Sequence, residues 1–436
     1  MKKLIIWILS LALLGAVGFA SGTKEAQKAA PAPDKLVVLG HKVHRTVSTE
    51  GAGGDITQEW LAQTGVKEIE WQTLGNNADI TDKLFREASL PTTSLDVGFI
   101  LNIALTPAVT ELFEPLDKYL EKAPIEDLQD IFPGLREAAK FGGVTYAIPF
   151  RHATSGLHYN SKDFADRGIG GPPQYIEDFI SYIPKLCFTR PDGSQVFGFV
   201  IPGKGQIYPN HTDLARAWNG DFITLDYKCK ANDYGMIKAV TLLRDLYAKD
   251  YYPKAFTAIA NVDVNTWMQQ GRTAMTFSTT GRNQFYNSPE QSKFPGAFKT
   301  IPIPISKELS DKFKVAPAKT EFWCLVIPKN AKHKDLSWDF IRQLSKKQST
   351  LKAALNGNGP VRVSTYEDPV FQKQIPYWEA ERDILKVTRV AMPGFDGSAK
   401  AADLFNEYAE AAQLGKMGVK EAMDKLTEEV NKLLPK

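Results

Sequence analysis

Three apolar runs near the start of the chain decide the fold: 35–40 (KLVVLG), 66–74 (VKEIEWQTL) and 95–101 (LDVGFIL). Each has the length and the Val, Ile, Leu and aromatic content of one strand. Between them lie stretches near 56–64 and 80–88 that read as helices. Strand and helix alternate, and that order predicts βαβ units around a parallel sheet. Asp55, with Gln58 three residues on, has the spacing of a helix N-terminal cap.

Upstream, residues 1–20 have the form of a secretory signal: Lys2 and Lys3, an apolar run over 4–19, and small residues Gly18 and Ala20 before the expected cut. Residues 21–34 (SGTKEAQKAAPAPD) then read as a tether without a core face. The whole chain of 436 residues carries 53 Lys+Arg against 50 Asp+Glu; without Lys2 and Lys3 the balance is 51 against 50. So even a balance argues against nucleic acid or an anionic membrane as the main partner. At 43% apolar and 11% aromatic the chain is an ordinary folded one, long enough for two or three lobes. Its three cysteines, Cys187, Cys229 and Cys324, allow one disulfide plus a thiol, with Cys187 and Cys229 as the pair to test, or three buried thiols.

Downstream, 141–159 (FGGVTYAIPFRHATSGLHY) is two extended runs around Pro149, a crossing from one lobe to another. Helices are expected over 234–249, from about 262, and over 336–344, 401–414 and 419–434, with strands at 273–277 and 322–327.

Six stretches together resemble the family-1 extracellular solute-binding proteins, the carbohydrate-capturing components of bacterial ABC importers. They are 113–120 (FEPLDKYL), 143–150 (GVTYAIPF), 158–164 (HYNSKDF), 271–281 (GRTAMTFSTTG), 323–330 (WCLVIPKN) with 338–341 and 360–362, and 415–422 (GKMGVKEA). The resemblance implies an α/β, two-lobe periplasmic-binding-protein fold of type II, with the ligand in the cleft between lobes. Lobe 1 would take 35–149 and 317–365, and lobe 2 would take 150–316 and 366–436. It implies no catalysis and no cofactor, a sugar-like ligand, and delivery to a two-subunit membrane permease with a cytoplasmic ATPase. A monomer, free in the periplasm, is expected. In many such proteins a lipid-modified Cys follows the signal; Ser21 stands there instead.

Candidate ligand residues follow from two sources. The resemblance points to the segment after the Ala-Met strand, Thr279, Thr280, Gly281 and Arg282, and to Tyr208, Asn210 and His211 in the second lobe. Where the family often has an aromatic after this glycine, Arg282 and Asn283 stand instead, which hints at a more polar or acidic ligand. Trp323 returns beside the cleft; Trp218 and Trp267 either stack on a sugar or pack in the core. The second source is geometry: ligands gather beyond the carboxyl ends of parallel strands, which selects a loop with His44, Arg45 and Thr46, then Asn76 or Asn77, and Asn102. Arg151 and His152 lie at the first crossing, and two Arg with two His would suit a carboxylate or phosphate.

Rival signals are weaker. His41-x-x-His44 lacks further ligands for a metal. Gly51-Ala52-Gly53-Gly54 fails the dinucleotide fingerprint, which needs a third glycine where Ile56 stands, and reads as a flexible loop with an amide-lined anion niche. An exported hydrolase would need a carboxylate pair, and no spacing singles one out among residues such as Glu321 and Asp396.

Overall fold

A computed structural model describes residues 33–435. The expected signal, and all but the last two residues of the tether, lie outside the described residues. Strands β1 (Lys35–His41), β2 (Glu68–Leu74) and β3 (Val97–Leu101) pair in parallel in the order β2-β1-β3. Every residue of β3 is buried, as a central strand covered on both faces must be.

The connections are α1 (Lys42–Thr49), α2 (Gln58–Thr64) and α3 (Asn77–Ala88). Helix α1 stands where the sequence suggested a polar loop. Its start is closed by two histidines: the His41 ring accepts from Val43 N, and His44 Nδ1 accepts from His41 N, both at 3.1 Å. His44 and Val47 are thereby turned into the core. Asp55 does not cap α2 directly. Its carboxylate accepts from Thr57 N and Oγ1, both at 2.7 Å, and from Gln58 Nε2, which fixes the turn before the N-cap residue Thr57. The Gly51–Gly54 segment is no anion niche either, since Gly53 N donates to Asn356 Oδ1 at 2.7 Å.

Strand β4 (Ile148–Asn160) is long because it crosses. Ile148 and Phe150 belong to a first core, Leu157 and Tyr159 to a second. In the second core β4 is flanked by the antiparallel strands β5 (Met275–Thr279) and β6 (Phe298–Ile301). Strand β7 (Lys319–Val326) crosses back, antiparallel to β4 and β3, and takes β8 (Arg389–Val390) beside its first residues. One eight-stranded sheet, β6-β4-β7-β3-β1-β2 with β5 on β4 and β8 on β7, therefore runs through both cores.

Helices cover the sheet: α4 (Ile207–Ala215), α5 (Tyr234–Ala248), α6 (Asn261–Gln270), α7 (Lys334–Ser345), α8 (Lys347–Leu355), α9 (Trp378–Leu385), α10 (Ser398–Gln413) and α11 (Val419–Asn431). In α11 Val419, Ala422, Met423, Leu426 and Val430 are buried, one stripe at helical spacing. Phe371, Ile375 and Tyr377, from the segment that the sequence assigns to the second lobe, pack in the first core. All three cysteines are free. Among the described residues no helix is long and apolar enough to cross a membrane.

Candidate functional site

The two crossing strands set the geometry. Their antiparallel register pairs Thr320 with Thr154, Glu321 with Ala153, Phe322 with His152, and Trp323 with Arg151. Directly opposed residues share a face and alternate residues share a face. One face therefore carries Arg151, Ala153, Glu321 and Trp323, and the other carries His152, Thr154, Thr320 and Phe322.

On the first face Trp323, 9% exposed, meets the His44 ring edge-on at 4.7 Å. His44 in turn stacks on Phe99 at 4.1 Å. Burial, with Arg151 and His41 nearby, holds the His44 imidazole well below its usual range, so it is a neutral support for Trp323. Tyr208 on α4 approaches from the second core. Burial raises its phenol, and the Glu321 carboxylate beside it raises it further. Among the described residues that carboxylate has no hydrogen-bond or ion-pair partner.

At the edge of β4 a cavity of about 480 Å³ opens, continuous with this face through Arg151 and Ala153. The first core contributes Asn358 and Gly359, and the second contributes Thr279, Thr280, Gly281 and Arg282. Arg151 Nη1 donates to Asn358 Oδ1 at 3.1 Å and Asn358 Nδ2 donates to Phe150 O at 2.9 Å, which fixes the guanidinium at the cavity wall. Gly359 is required here, because a Cβ would come 2.3 Å from His152 O. Tyr377 and Glu381 close the far side. The Glu381 carboxylate accepts from the hydroxyls of Thr280 and Tyr366. Burial raises the Tyr377 phenol, and Glu381 raises it further.

Of the residues expected from the sequence, the cavity brings together Arg151, His152, Thr280, Gly281 and Arg282. Trp323 lies on the adjoining strand face, and Tyr208 of α4 lies near Glu321 of that face. The others lie elsewhere. His44 is core. Arg45 is exposed on α1, and Asn76 caps α3 by accepting from Asp79 N. Asn102 is used internally, accepting from Phe322 N at 2.9 Å. His211 is buried on α4 with Nδ1 2.8 Å from Ile207 O, and burial takes its imidazole down to about 4. Trp218 packs in the second core, and Trp267 stacks on Phe197 at 6.1 Å under the Arg272 guanidinium. Sequence reasoning passed over Asn358, Tyr366, Tyr377 and Glu381, and did not place Glu321 in the site. Strand parity with Trp323 was the available signal for Glu321; the others depend on packing between distant segments. No group of three or more His, Cys, Asp or Glu side chains is arranged to hold a metal among the described residues.

Comparison with known proteins adds to this geometry. A family model described as bacterial extracellular solute-binding protein matches residues 55–349. The erythritol/L-threitol-binding protein of Mycolicibacterium smegmatis is 24% identical over 309 residues, which span 66% of this chain and 62% of that protein's length. Among solved structures, an ABC transporter solute-binding protein of Agrobacterium radiobacter K84 in complex with ribitol has a TM-score of 0.72 at 18% identity, covering 92% of this chain and 99% of that one. Maltose-bound MalE3 of T. maritima has a TM-score of 0.72 at 19% identity, covering 92% and 100%. At these identities the structures establish the two-lobe fold.

Proposed function

The chain belongs to the bacterial extracellular solute-binding proteins, and on that premise we propose that it captures a neutral polyhydroxy compound, a sugar or polyol, between its two lobes. It then hands the ligand unchanged to a membrane permease of an ABC importer. The observation that carries this reading is the placement of the cavity: its polar wall comes from both cores and meets at the strands that join them. A ligand touching both walls favours the closed arrangement, because only contacts made by both lobes bias such a balance.

The charges support a neutral ligand over the anion that Arg151 and Arg282 alone suggest. Glu381 lines the cavity together with both guanidiniums, and the Glu321 carboxylate, on the adjoining strand face, has no donor among the described residues. Hydroxyls both donate and accept, so a polyol can serve a carboxylate and a guanidinium at once. Trp323 offers an apolar ring edge for the carbon skeleton. The erythritol/L-threitol and ribitol binders among the similar proteins are consistent with a short polyol. Arg151, His152, Thr280, Gly281, Arg282 and Trp323 are the proposed contacts, joined by Glu321, Tyr208 and Asn358.

The hydrolase alternative gains nothing from the geometry. Glycoside hydrolysis needs two carboxylates flanking one bond. Glu381 is engaged on the His152 side of the crossing strands, whereas Glu321 lies on the opposite face. Export to the periplasm through the N-terminal signal and docking on a two-subunit permease as a monomer belong to the same reading.

Thermal-shift screening tests it, with erythritol, L-threitol, ribitol, D-mannitol, maltose and a sugar acid. A ligand at a hundred times its Kd stabilises the fold by about 2.7 kcal/mol. A shift with a neutral member is expected; a shift with the sugar acid alone would overturn the charge argument.

A further inference from the structure

We propose that Glu381 is a positioning residue for the cavity: as the last acceptor of a one-way hydrogen-bond chain, it holds the Thr279–Arg282 turn in register with both crossing strands. The proposal rests on the reading of this cavity as the ligand site.

The direction of the chain follows from the chemistry of its members. An ionised carboxylate only accepts. Thr280 donates to Glu381 Oε1, and Tyr366 donates to Oε2 at 2.8 Å. With its proton so committed, the Tyr366 oxygen is left to accept, and His152 Nε2 stands 3.1 Å away. Nε2 therefore carries the ring proton. That makes Nδ1 an acceptor, and the Thr154 hydroxyl is 3.0 Å from it. The Thr154 oxygen then accepts from Thr320, at 2.8 Å. Donation runs from Thr320 through Thr154, His152 and Tyr366 to Glu381, where Thr280 arrives from the other side.

Every step except Thr154 to His152, both on β4, crosses a boundary in the fold. Thr320 is on β7, Thr154 and His152 on β4, Tyr366 in the first core and Glu381 on α9. Thr280 follows β5 in the second core, directly before Gly281 and Arg282. Thr280 N also donates to Thr154 O at 2.9 Å, so the turn is held at two points. No member of the chain is more than 5% exposed. Burial keeps the His152 imidazole neutral, as the scheme requires. Arg151 and Tyr377 also face Glu381, but neither hydrogen-bonds to it.

Buried polar chains of this kind add little net stability over apolar side chains of the same shape, but losing one member leaves its neighbours unpaired. The consequence here is geometric: the turn bearing Gly281 and Arg282 is held by residues of the hinge as well as by its own lobe, where Asn283 Nδ2 donates to Phe298 O and Thr300 Oγ1.

Tyr366→Phe is the decisive variant, because it removes one hydroxyl from a residue that does not line the cavity. Thr280→Val cuts the other arm, and Thr280→Ser retains it. The readouts are amide exchange across 275–286 in the ligand-free protein and the Kd for ribitol. We expect exchange there to quicken about tenfold, and ribitol binding to weaken about tenfold, in Tyr366→Phe and Thr280→Val. Thr280→Ser, which keeps the hydroxyl, should keep the parent's exchange over 275–286, and exchange in α11 should not change in any variant. Unaltered exchange over 275–286, or an equal rise throughout the chain, overturns the proposal. Should Tyr366→Phe fail to fold, the two Thr280 variants carry the same comparison. If the parent does not bind ribitol, the ligand reading fails for that polyol, and the exchange result alone decides the positioning role.

Discussion

Gly394→Ala is the sharpest single-atom perturbation of lobe closure. The two cores meet where Leu105 and Thr106 of the first approach Gly394 and Asp396 beside the second. Thr106 Oγ1 donates to Asp396 Oδ1 at 3.2 Å, and the Tyr227 hydroxyl donates to Gly394 O at 3.3 Å. A Cβ on Gly394 would come 2.2 Å from Leu105 O. Ordinary contact begins near about 3.5 Å, so the backbones must part by about 1 Å. The obstacle is main chain on both sides, and no side chain can rotate away. Overpacking of this size costs about 1–3 kcal/mol, and parting the lobes relieves it. The closed state therefore loses that much against the open one, which is about 5- to 150-fold in Kd. Calorimetric titration with the thermal-shift hit, beside the melting temperature of the ligand-free variant, measures both effects. An affinity within twofold of the parent would show that closure does not bring these backbones together.

Three further outcomes follow from burial and contact. Burial pushes both His158 and His211 from 6.5 down to about 4. The unfolded chain then binds protons that the folded one refuses, so stability is full above pH 6.5 and falls by about 3 kcal/mol per histidine as pH drops toward 4. Chemical denaturation at pH 7 and pH 4.5 checks this, and equal midpoints would contradict it. All three thiols should stay unreactive to a thiol reagent until the protein is unfolded, because burial pushes each of them up; a non-reducing gel showing an internal bridge would contradict the free state. Trp323→Ala should weaken ligand binding at least tenfold in calorimetry, whereas unchanged affinity would remove Trp323 from the contacts.

Much of this was legible in the sequence because strands and amphipathic helices announce themselves by period. The runs that became β1, β2, β3 and the stripe of α11 needed only local pattern. A crossing was legible too, as two extended runs around Pro149, although the structure makes one strand, Ile148–Asn160, which leaves the first core beyond Phe150. Helix α1 was not, because its start depends on two histidine rings acting as caps, which no composition rule anticipates. The site divides in the same way. Arg151, His152 and the 279–282 turn lie on the crossing or next to a recognisable strand. Asn358 and Glu381 reach the cavity only through contacts between segments far apart in the chain, and period carries no such information. Asn102 and Asn76 lie outside the cavity at Arg151, and their side-chain oxygens accept from backbone amides, because a strand end or helix start has orphan amides of its own.

The central claim is capture by closure, and small-angle scattering of the protein with and without its thermal-shift hit tests it most directly. The account predicts a smaller radius of gyration on saturation, with the hit recovered chemically intact. An unchanged scattering curve at saturating ligand would contradict it.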